Sequence, residues 1–271
     1  MRPLTNMRVL ITGASSGIGL ALSEQLAAAG SRLVISARRV DRLQQLLARL
    51  PNSSSHALFP ADVSVPSDCH SLVAFAASHL GGLDTLVANA GYGEVHPTAT
   101  YPLDQIEQIF RTNLLGTTEC IRAALPHLQA NTPARGCRGQ IVIVSSAAAR
   151  RGLPLLGPYS ATKAAQLSIA EALRVELKSQ HIAVTTVHPA TTRTEFFDVA
   201  QQRTGRKISR NLTTGSSQSP DQVARAMLKA IARPTREVWP AWYFRYALSL
   251  CTLFPSIGDK VMARTLNELA D

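Results

Sequence analysis

One stretch near the start of the chain decides the fold: Arg8-Val-Leu-Ile-Thr12-Gly13-Ala-Ser-Ser-Gly17-Ile-Gly19. A β-branched and aliphatic run enters a glycine-rich turn, and a helical pattern follows, with Ile18, Leu22 and Leu26 on one face and Gly30 as its end. In this strand–turn–helix context, glycines let the backbone approach a pyrophosphate whose charge the helix N-terminus binds. The alternative is a turn whose glycines serve packing alone.

Strand and helix patterns alternate along the chain, which predicts a parallel sheet covered by helices on both faces. Strands are predicted at 8–12, 32–37, 56–60, 84–88, 139–145, 182–188 and 236–239. Helices are predicted at 17–29, 40–49, 66–80, 103–129, 158–180 and 220–232. We therefore expect an α/β, doubly wound parallel sheet of Rossmann type, in a single domain of residues 1–240 with a hydrophobic C-terminal extension at 241–271.

A second pattern places a phenol beside an amine. Tyr159 and Lys163 are four residues apart in a predicted helix, so they project from the same face, and Ser146 ends the fifth strand pattern upstream. A nearby ammonium favours the phenolate, so we expect Lys163 to lower the pKa of Tyr159 from its usual value of about 10. Such a phenol can donate and accept protons near neutral pH, which a ketone/alcohol redox reaction requires. Alone, the pair is also common on helix surfaces.

Together the two patterns resemble the short-chain dehydrogenase/reductase family, and the resemblance extends from about Met7 to Pro240. It implies a catalytic tetrad of Asn113, Ser146, Tyr159 and Lys163. By this resemblance, Tyr159 gives a proton to the alkoxide that forms when hydride arrives, and it is the base in the reverse direction. Ser146 stabilises the carbonyl oxygen, and Lys163 holds the nicotinamide ribose. Asn113 positions a water in a proton relay behind Lys163.

The same resemblance implies that a dinucleotide contacts the glycine turn and the segments after the third, fourth and sixth strands. The residues are Gly13, Ser15, Ser16, Gly17, Ile18, Gly19, Asp62, Val63, Asn89, Ala90, Gly91, Pro189, Thr192 and Thr194, with Tyr159 and Lys163. Ala88 stands where the family has Asn, and two positions after the sixth strand also depart from the family pattern. Ala190 replaces a glycine, which limits positive φ at that turn, and Thr192 replaces an aliphatic residue. We expect the backbone contact to the nicotinamide carboxamide to survive both changes.

The end of the second strand, Ser36-Ala37-Arg38-Arg39, indicates which dinucleotide binds. An acidic residue here would bind the ribose 2′-hydroxyl of NAD, whereas an arginine pairs with the 2′-phosphate of NADP. Ala37 stands where the family's NAD enzymes carry Asp, and two arginines follow. We expect NADP(H), with Arg38 as the better candidate, Arg39 as the second, and Ser15 assisting. The alternative is that both arginines only cap a loop.

Composition limits the other functions of this chain of 271 residues. The net charge is +10, but the basic residues are scattered and no strip interleaves them with aromatics, so we expect no nucleic acid partner. The four cysteines lack Cys-x-x-Cys spacing and neighbouring histidines, so we expect reduced thiols and no metal site. The first strand follows the initial Met so closely that we expect no secretory signal and a cytoplasmic location.

Two segments leave alternatives open. Residues 195–219 occupy the place of the family's variable substrate lid, where Phe196 and Phe197 are candidates for an apolar wall. A basic cluster there would suit an acidic substrate or an acyl carrier, or is a solvated loop; it consists of Arg203, Arg206, Lys207 and Arg210. The aromatic-rich stretch 239–254 is shorter than the about 20 apolar residues of a transmembrane helix. It suits a cover over the pocket, a subunit interface, or a helix at a membrane surface, to which the protein would bind peripherally.

The expected function is an NADPH-dependent carbonyl reductase, or the reverse alcohol dehydrogenase, that acts on a small-molecule carbonyl or alcohol of apolar or lipid-like character. By the family resemblance, we expect a homodimer or homotetramer. The alternatives are a 3-oxoacyl-carrier reductase and a non-catalytic NADP-binding sensor. The intact tetrad argues against the sensor, because a sensor needs the cofactor turn but not Tyr159 or Lys163.

Overall fold

The computed structural model describes residues 1–134, 136–204 and 217–270. Within these ranges, the side chains of Phe197, Arg203, Thr204 and residues 264–270 are not described. Arg206, Lys207 and Arg210 of the basic cluster, and the expected lid between 205 and 216, lie outside the described residues.

A seven-stranded sheet forms the centre of the protein, and all of its neighbouring strands are parallel. The strands are β1 Arg8–Thr12, β2 Arg32–Ala37, β3 Ala57–Pro60, β4 Thr85–Ala88, β5 Gly139–Val144, β6 Ile182–Val187 and β7 Glu237–Val238. Their order is β3-β2-β1-β4-β5-β6-β7. The chain order reverses between β1 and β4, and in such sheets ligands bind in the crevice outside the carboxyl ends of the strands at this point.

Helices cover both faces of the sheet, as predicted. They are α1 Gly17–Ala28, α2 Val40–Arg49, α3 Pro66–Leu80, α4 Leu103–Phe110, α5 Gly116–Gln129, α6 Gly157–Glu176, α7 Phe196–Thr204, α8 Pro220–Ala232, α9 Trp242–Leu253 and α10 Pro255–Ala270. Because side chains alternate along a strand, Val9 and Ile11 of β1 enter a core with α1, α2 and α8, whereas Leu10 enters a second core with α3, α5 and α6.

The predicted helix 103–129 differs from the structure at its centre. A π-helical turn at Arg111–Leu115 separates α4 from α5. Such turns insert one residue into a helix and occur frequently at functional sites, and this one contains Asn113. The other predicted elements agree with the structure to within one residue at most ends, and α6 ends four residues earlier than expected.

The C-terminal extension folds into α9 and α10, which pack against each other. Within the described ranges, no helix combines the length and the apolar character that a membrane crossing requires. All four cysteines are free thiols, as expected, and Cys69, Cys120 and Cys251 are buried.

Candidate active site

A cavity of 580 Å³ opens at the carboxyl ends of the strands, where the chain order reverses. Nearly all of the predicted site residues line it, although they come from six different loops and from α6. The exceptions are Gly19 and Asn113. The loops meet here because the carboxyl ends of parallel strands lie at one edge of the sheet.

The glycine turn forms one wall of the cavity. Gly13 and Gly17 have φ of +68° and +57°, conformations that favour glycine. A Cβ on Gly13 would lie 2.8 Å from the Cα of Ala90. Gly19 has another role, because its Cβ would lie 2.4 Å from the carbonyl oxygen of Gly13, so this glycine permits α1 to pack closely against the turn. Asn89 fixes the turn by donating from Nδ2 to the carbonyl oxygens of Thr12 and Gly13, at 2.9 and 3.0 Å.

Tyr159 and Ser146 meet on the opposite wall. Tyr159 lies in the first turns of α6 and shares a hydrogen bond with the side chain of Ser146. The Ser146 hydroxyl also accepts from the backbone N–H of Ala148 at 3.1 Å, which orients it. The ring of Phe196, at the start of α7, lies 5.1 Å from the Tyr159 ring, centroid to centroid, so Phe196 walls the pocket as predicted.

Lys163 is buried beneath Tyr159. Its Nζ lies 5.6 Å from the centre of the Tyr159 ring and donates to the carbonyl oxygen of Val144 at 2.9 Å and to Oε1 of Gln166 at 3.1 Å. Burial lowers the pKa of Lys163 to about 7. An ammonium is therefore only partly maintained at neutral pH.

The predicted lowering of the Tyr159 pKa is wrong. Burial raises the pKa of Tyr159, and the hydrogen bond to Ser146 offsets only part of that effect. Removal from water disfavours every charged form, so it acts against the phenolate and against the ammonium of Lys163 alike. Spacing on a helix places two groups together, but it does not reveal how far they are removed from solvent.

Asn113 is completely buried behind the site. Its Oδ1 accepts from the N–H of Tyr92 at 3.0 Å, and its Nδ2 donates to the carbonyl oxygen of Tyr92 and to Thr162 Oγ1, at 2.9 and 3.1 Å. The amide therefore anchors the loop after β4 to the π-helical turn. The carbonyl oxygen of Asn113 accepts from Gln166 Nε2 at 2.6 Å. Sequence analysis did not single out Gln166, because a lone glutamine has no spacing signature.

The two arginines after β2 differ in their contacts. Arg38 is 54% exposed, and its Nη1 lies 3.6 Å from Oδ2 of Asp62. Arg39 reaches the glycine turn, where its Nη2 donates to the hydroxyls of Ser15 and Ser16 at 3.0 and 2.8 Å. The side chain of Arg39 also pairs with Glu195. Arg39 is thus the arginine that shares a corner of the cavity with the turn.

The loop after β6 accommodates the two departures from the family pattern. Ala190 is not among the residues with positive φ, so its Cβ causes no strain. Its N–H donates to Oε1 of Gln218 at 3.0 Å. Thr192 forms a β-bridge with Gln218 and donates from Oγ1 to the carbonyl oxygen of Ala190 at 2.9 Å. These bonds hold Thr192 at the cavity wall.

The far end of the cavity is apolar. Its wall there consists of Leu153, Leu156, Phe196, Val199, Phe244, Leu248 and Met262. Phe244 and Leu248 belong to α9 and Met262 to α10. The C-terminal extension therefore covers the pocket, which was one of its three predicted roles.

Comparison with known proteins identifies relatives over most of the chain. The family model described as short chain dehydrogenase matches residues 7–205. An uncharacterized oxidoreductase of Listeria innocua is 32% identical over 234 residues, which cover 85% of this chain and 92% of that protein. The 11-beta-hydroxysteroid dehydrogenase 1A of Arabidopsis thaliana is 35% identical over 250 residues, which cover 87% of this chain and 68% of that protein.

Two solved structures have the same fold. The short chain dehydrogenase/reductase of Burkholderia phymatum in complex with NAD has a TM-score of 0.84 at 22% identity, over 95% of this chain and 97% of that one. The alcohol dehydrogenase of the archaeon Thermococcus sibiricus, complexed with 5-hydroxy-NADP, has a TM-score of 0.73 at 25% identity, over 86% and 95%. The family model and the relatives above place this chain in the short-chain dehydrogenase/reductase family of oxidoreductases.

Proposed function

We propose that this protein is an NADPH-dependent oxidoreductase that interconverts a carbonyl and a secondary alcohol on an apolar substrate. The observation that carries the proposal is the hydrogen bond between Tyr159 and Ser146 on the wall of a cavity whose far end is apolar. Two hydroxyls that face one cavity can both bind a single substrate oxygen, and one of them can supply its proton.

The residues present fit a dinucleotide. Gly13 and Gly17 offer bare backbone to the cavity, and α1 begins directly behind them, so its N-terminus favours a phosphate group. Asp62 and Val63 line the cavity near Arg38 and would contact the adenine end. Lys163 and Thr192, at the opposite end, would hold the nicotinamide ribose and carboxamide. When bound, the nicotinamide supplies or accepts the hydride.

Each residue of the tetrad then has a task in carbonyl reduction. Ser146 donates to the carbonyl oxygen and stabilises the negative charge that forms on it. Tyr159 transfers its proton to that oxygen, and its raised pKa keeps the proton available at neutral pH. In alcohol oxidation the phenolate would accept the proton. Lys163 lies beneath the phenol and would fix the position of the cofactor relative to Tyr159. Asn113 does not contact the reacting groups; its hydrogen bonds to the backbone of Tyr92 fix the loop after β4.

The preference for NADPH rests on the corner between β2 and the glycine turn. Ala37 lines the cavity there and carries no charge that would repel a 2′-phosphate. The contacts favour Arg39 over Arg38 as the phosphate partner, contrary to the order expected from sequence. Both arginines pair with a carboxylate, Arg38 with Asp62 and Arg39 with Glu195. Arg39 also donates to the hydroxyls of Ser15 and Ser16, which are further donors for an anion.

The substrate class follows from the apolar end of the cavity. Aliphatic and aromatic side chains from the segment before α6 and from α7, α9 and α10 favour a hydrophobic ketone or alcohol. The relative named 11-beta-hydroxysteroid dehydrogenase supports the same class. The 3-oxoacyl-carrier alternative depends on the basic cluster at 203–210, most of which lies outside the described residues.

We also propose a cytoplasmic location, with membrane contact through the stretch 239–254. A homodimer or homotetramer stays a prediction.

A substrate screen tests the proposal. Purified protein is incubated with NADPH or NADH and a panel of steroid, quinone, aldehyde and oxoacyl substrates, and the loss of absorbance of the reduced cofactor is followed. We expect NADPH consumption with hydrophobic ketones, and consumption that is about 10²-fold slower, or slower still, with a Tyr159→Phe variant. Cofactor binding without turnover of any carbonyl or alcohol would favour the sensor, and turnover restricted to oxoacyl substrates would favour the carrier reductase.

A further inference from the structure

Gln166 is a buried polar side chain directly behind the active-site lysine. It lies on α6 and is 1% exposed. Its Oε1 accepts from Lys163 Nζ at 3.1 Å. Its Nε2 donates to the carbonyl oxygen of Asn113 at 2.6 Å and to Thr117 Oγ1 at 3.0 Å. One amide thus joins the lysine to the π-helical turn.

These bonds fill the acceptor capacity of the Asn113 carbonyl. A backbone carbonyl oxygen has two lone pairs. One receives Gln166 Nε2, and the other receives the hydroxyl of Thr117 at 2.8 Å. The Gln166 amide therefore lies between Lys163 and this carbonyl, behind the lysine, where the family resemblance implies a relay water positioned by Asn113.

The same bonds orient the lysine. An ammonium has three N–H donors. Two of them are taken by the carbonyl oxygen of Val144 in β5 and by Oε1 of Gln166. The third is left for the cavity, whose wall includes Lys163. Among the described residues, the contacts that β5, the π-helical turn and α5 make with Lys163 and Gln166 come from uncharged groups. The titratable group that faces Lys163 within this part of the chain is Tyr159, on the same helix.

We propose that Gln166 is a positioning residue of the active site, which replaces the relay water, aims Lys163 at the cofactor and closes the proton route through Asn113. This inference rests on the proposed function. An amide neither gains nor loses a proton near neutral pH, so it cannot pass one to Lys163. In each reduction, Tyr159 gives one proton to the substrate oxygen. The phenolate therefore regains its proton from water on the cavity side.

The Gln166→Glu variant tests the contact with Lys163. The carboxylate keeps the shape and the acceptor, but it adds a negative charge next to the ammonium, which favours the charged amine. In the parent, NADPH affinity should fall as the pH rises through about 7, the pKa of Lys163, because the donor that faces the cofactor loses its charge. In the variant, the pH at which NADPH affinity falls should be higher by about one pH unit or more. Gln129→Glu, which adds the same charge on the exposed surface of α5, is the matched control and should behave as the parent.

NADPH fluorescence measured from pH 6 to pH 9 gives this readout without a substrate. If the parent fails to bind NADPH, the proposed function fails. If the parent binds and the Gln166→Glu profile superimposes on it, only the role of Gln166 is refuted. Should Gln166→Glu not fold, Gln166→Leu replaces it: loss of the acceptor should move the fall to lower pH and weaken NADPH binding by about tenfold at pH 7, as expected for a hydrogen bond to a charged group. A Leu variant with the parent's affinity and profile would also refute the role.

Discussion

Arg39 forms an ion pair with Glu195, with 2.9 Å between Nη1 and Oε2. Arg42 of α2 pairs with the other carboxylate oxygen of Glu195. Glu195 is the first residue of the segment expected to form the substrate lid, and this pair joins it to the corner proposed for the 2′-phosphate. A phosphate bound there would compete with the Glu195 carboxylate for the donors of Arg39.

Glu195→Gln should therefore raise the affinity for NADPH without changing that for NADH. Both side chains of the pair are about 40% exposed, and exposed pairs contribute up to about 1 kcal/mol. We expect KM for NADPH to fall by up to about fivefold. Steady-state kinetics with both cofactors measure this, and Glu24→Gln, which removes the surface partner of Arg49, is the control. An equal change for NADH would show that Glu195 acts through the fold and not through competition.

Substitution of Arg38 and of Arg39 should reveal which of the two binds the 2′-phosphate of NADPH. Arg39→Leu should lower the preference for NADPH over NADH more than Arg38→Leu does. A hydrogen bond to a charged group contributes about 1.5–3 kcal/mol, so we expect a loss of about tenfold or more in kcat/KM for NADPH. Combining Arg39→Leu with Ala37→Asp should carry the preference further towards NADH, because the new carboxylate repels the phosphate. A larger effect of Arg38→Leu would show that Arg38 is the main phosphate partner, as expected from sequence. A parent that prefers NADH would overturn the NADPH proposal.

The fold could be predicted from the sequence because its signals are local. The strand before Gly13 and the helix after Gly19 are continuous in the chain, and each later strand repeats the pattern. The contacts of Arg38 with Asp62 and of Arg39 with Glu195 depend on side-chain directions between residues that are far apart in the sequence. No spacing rule encodes those directions. The sequence therefore identified two candidate arginines for the 2′-phosphate but favoured Arg38, whereas the contacts favour Arg39.

The electrostatics of the site were predictable only in part. The four residues of the tetrad follow from a motif, but the pKa of Tyr159 depends on its burial, and Phe196, which packs against its ring, is far away in the sequence. Gln166 was missed for the same reason, since its role depends on its hydrogen bonds to Lys163 and to the carbonyl oxygen of Asn113. The π-helical turn around Asn113 also has no clear sequence signal, because it differs from an α-helix by a single inserted residue.

Tyr159→Phe should abolish most of the activity and preserve the fold. The phenol is the proposed proton donor, and loss of a general acid costs about 10²-fold or more in kcat. NADPH affinity should stay near the parent's, because the ring and its contact with Phe196 remain. Single-turnover NADPH oxidation and NADPH fluorescence separate the two effects, and Tyr246→Phe on the exposed face of α9 is the control. Turnover near the parent rate would exclude Tyr159 as the acid.

The buried lysine should make the protein more stable as the pH rises above neutral. Burial lowers the pKa of Lys163 from 10.5 to about 7, so between these values the unfolded chain binds a proton that the folded protein has lost. Stability then rises with pH, by at most about 1.4 kcal/mol per pH unit. His188, with a pKa lowered to about 4 by burial, titrates below this window, and Tyr159 above it. Urea denaturation at pH 7 and pH 9 should show the rise in the parent and a smaller one in Lys163→Met. An equal rise in the variant would assign it to another group.

Two faces of α9 are apolar. Phe244, Leu248 and Cys251 face inward, where the first two line the cavity. Trp242, Tyr246 and Leu253 share the opposite face and are 68%, 65% and 73% exposed. Aromatic side chains with a neighbouring arginine, here Arg245, are typical of helices that lie on a membrane surface. An apolar substrate would then reach the cavity from the lipid beside which the helix rests.

We therefore expect the protein to co-sediment with vesicles that contain phosphatidylserine, and less so at high salt, because its net charge of +10 is attracted to anionic lipid and salt screens the attraction. The double variant Trp242→Ser, Tyr246→Ser should bind about 10²-fold more weakly, or more weakly still, since each of the two aromatic side chains contributes about 1.5–3 kcal/mol when it is buried. Leu103→Ser, at an apolar side chain of α4 that is 78% exposed, is the control and should bind as the parent does. If the double variant keeps its vesicle binding, α9 is not the contact. If it instead changes the molar mass in solution measured by light scattering, the exposed face of α9 is a subunit interface, and the membrane proposal is wrong.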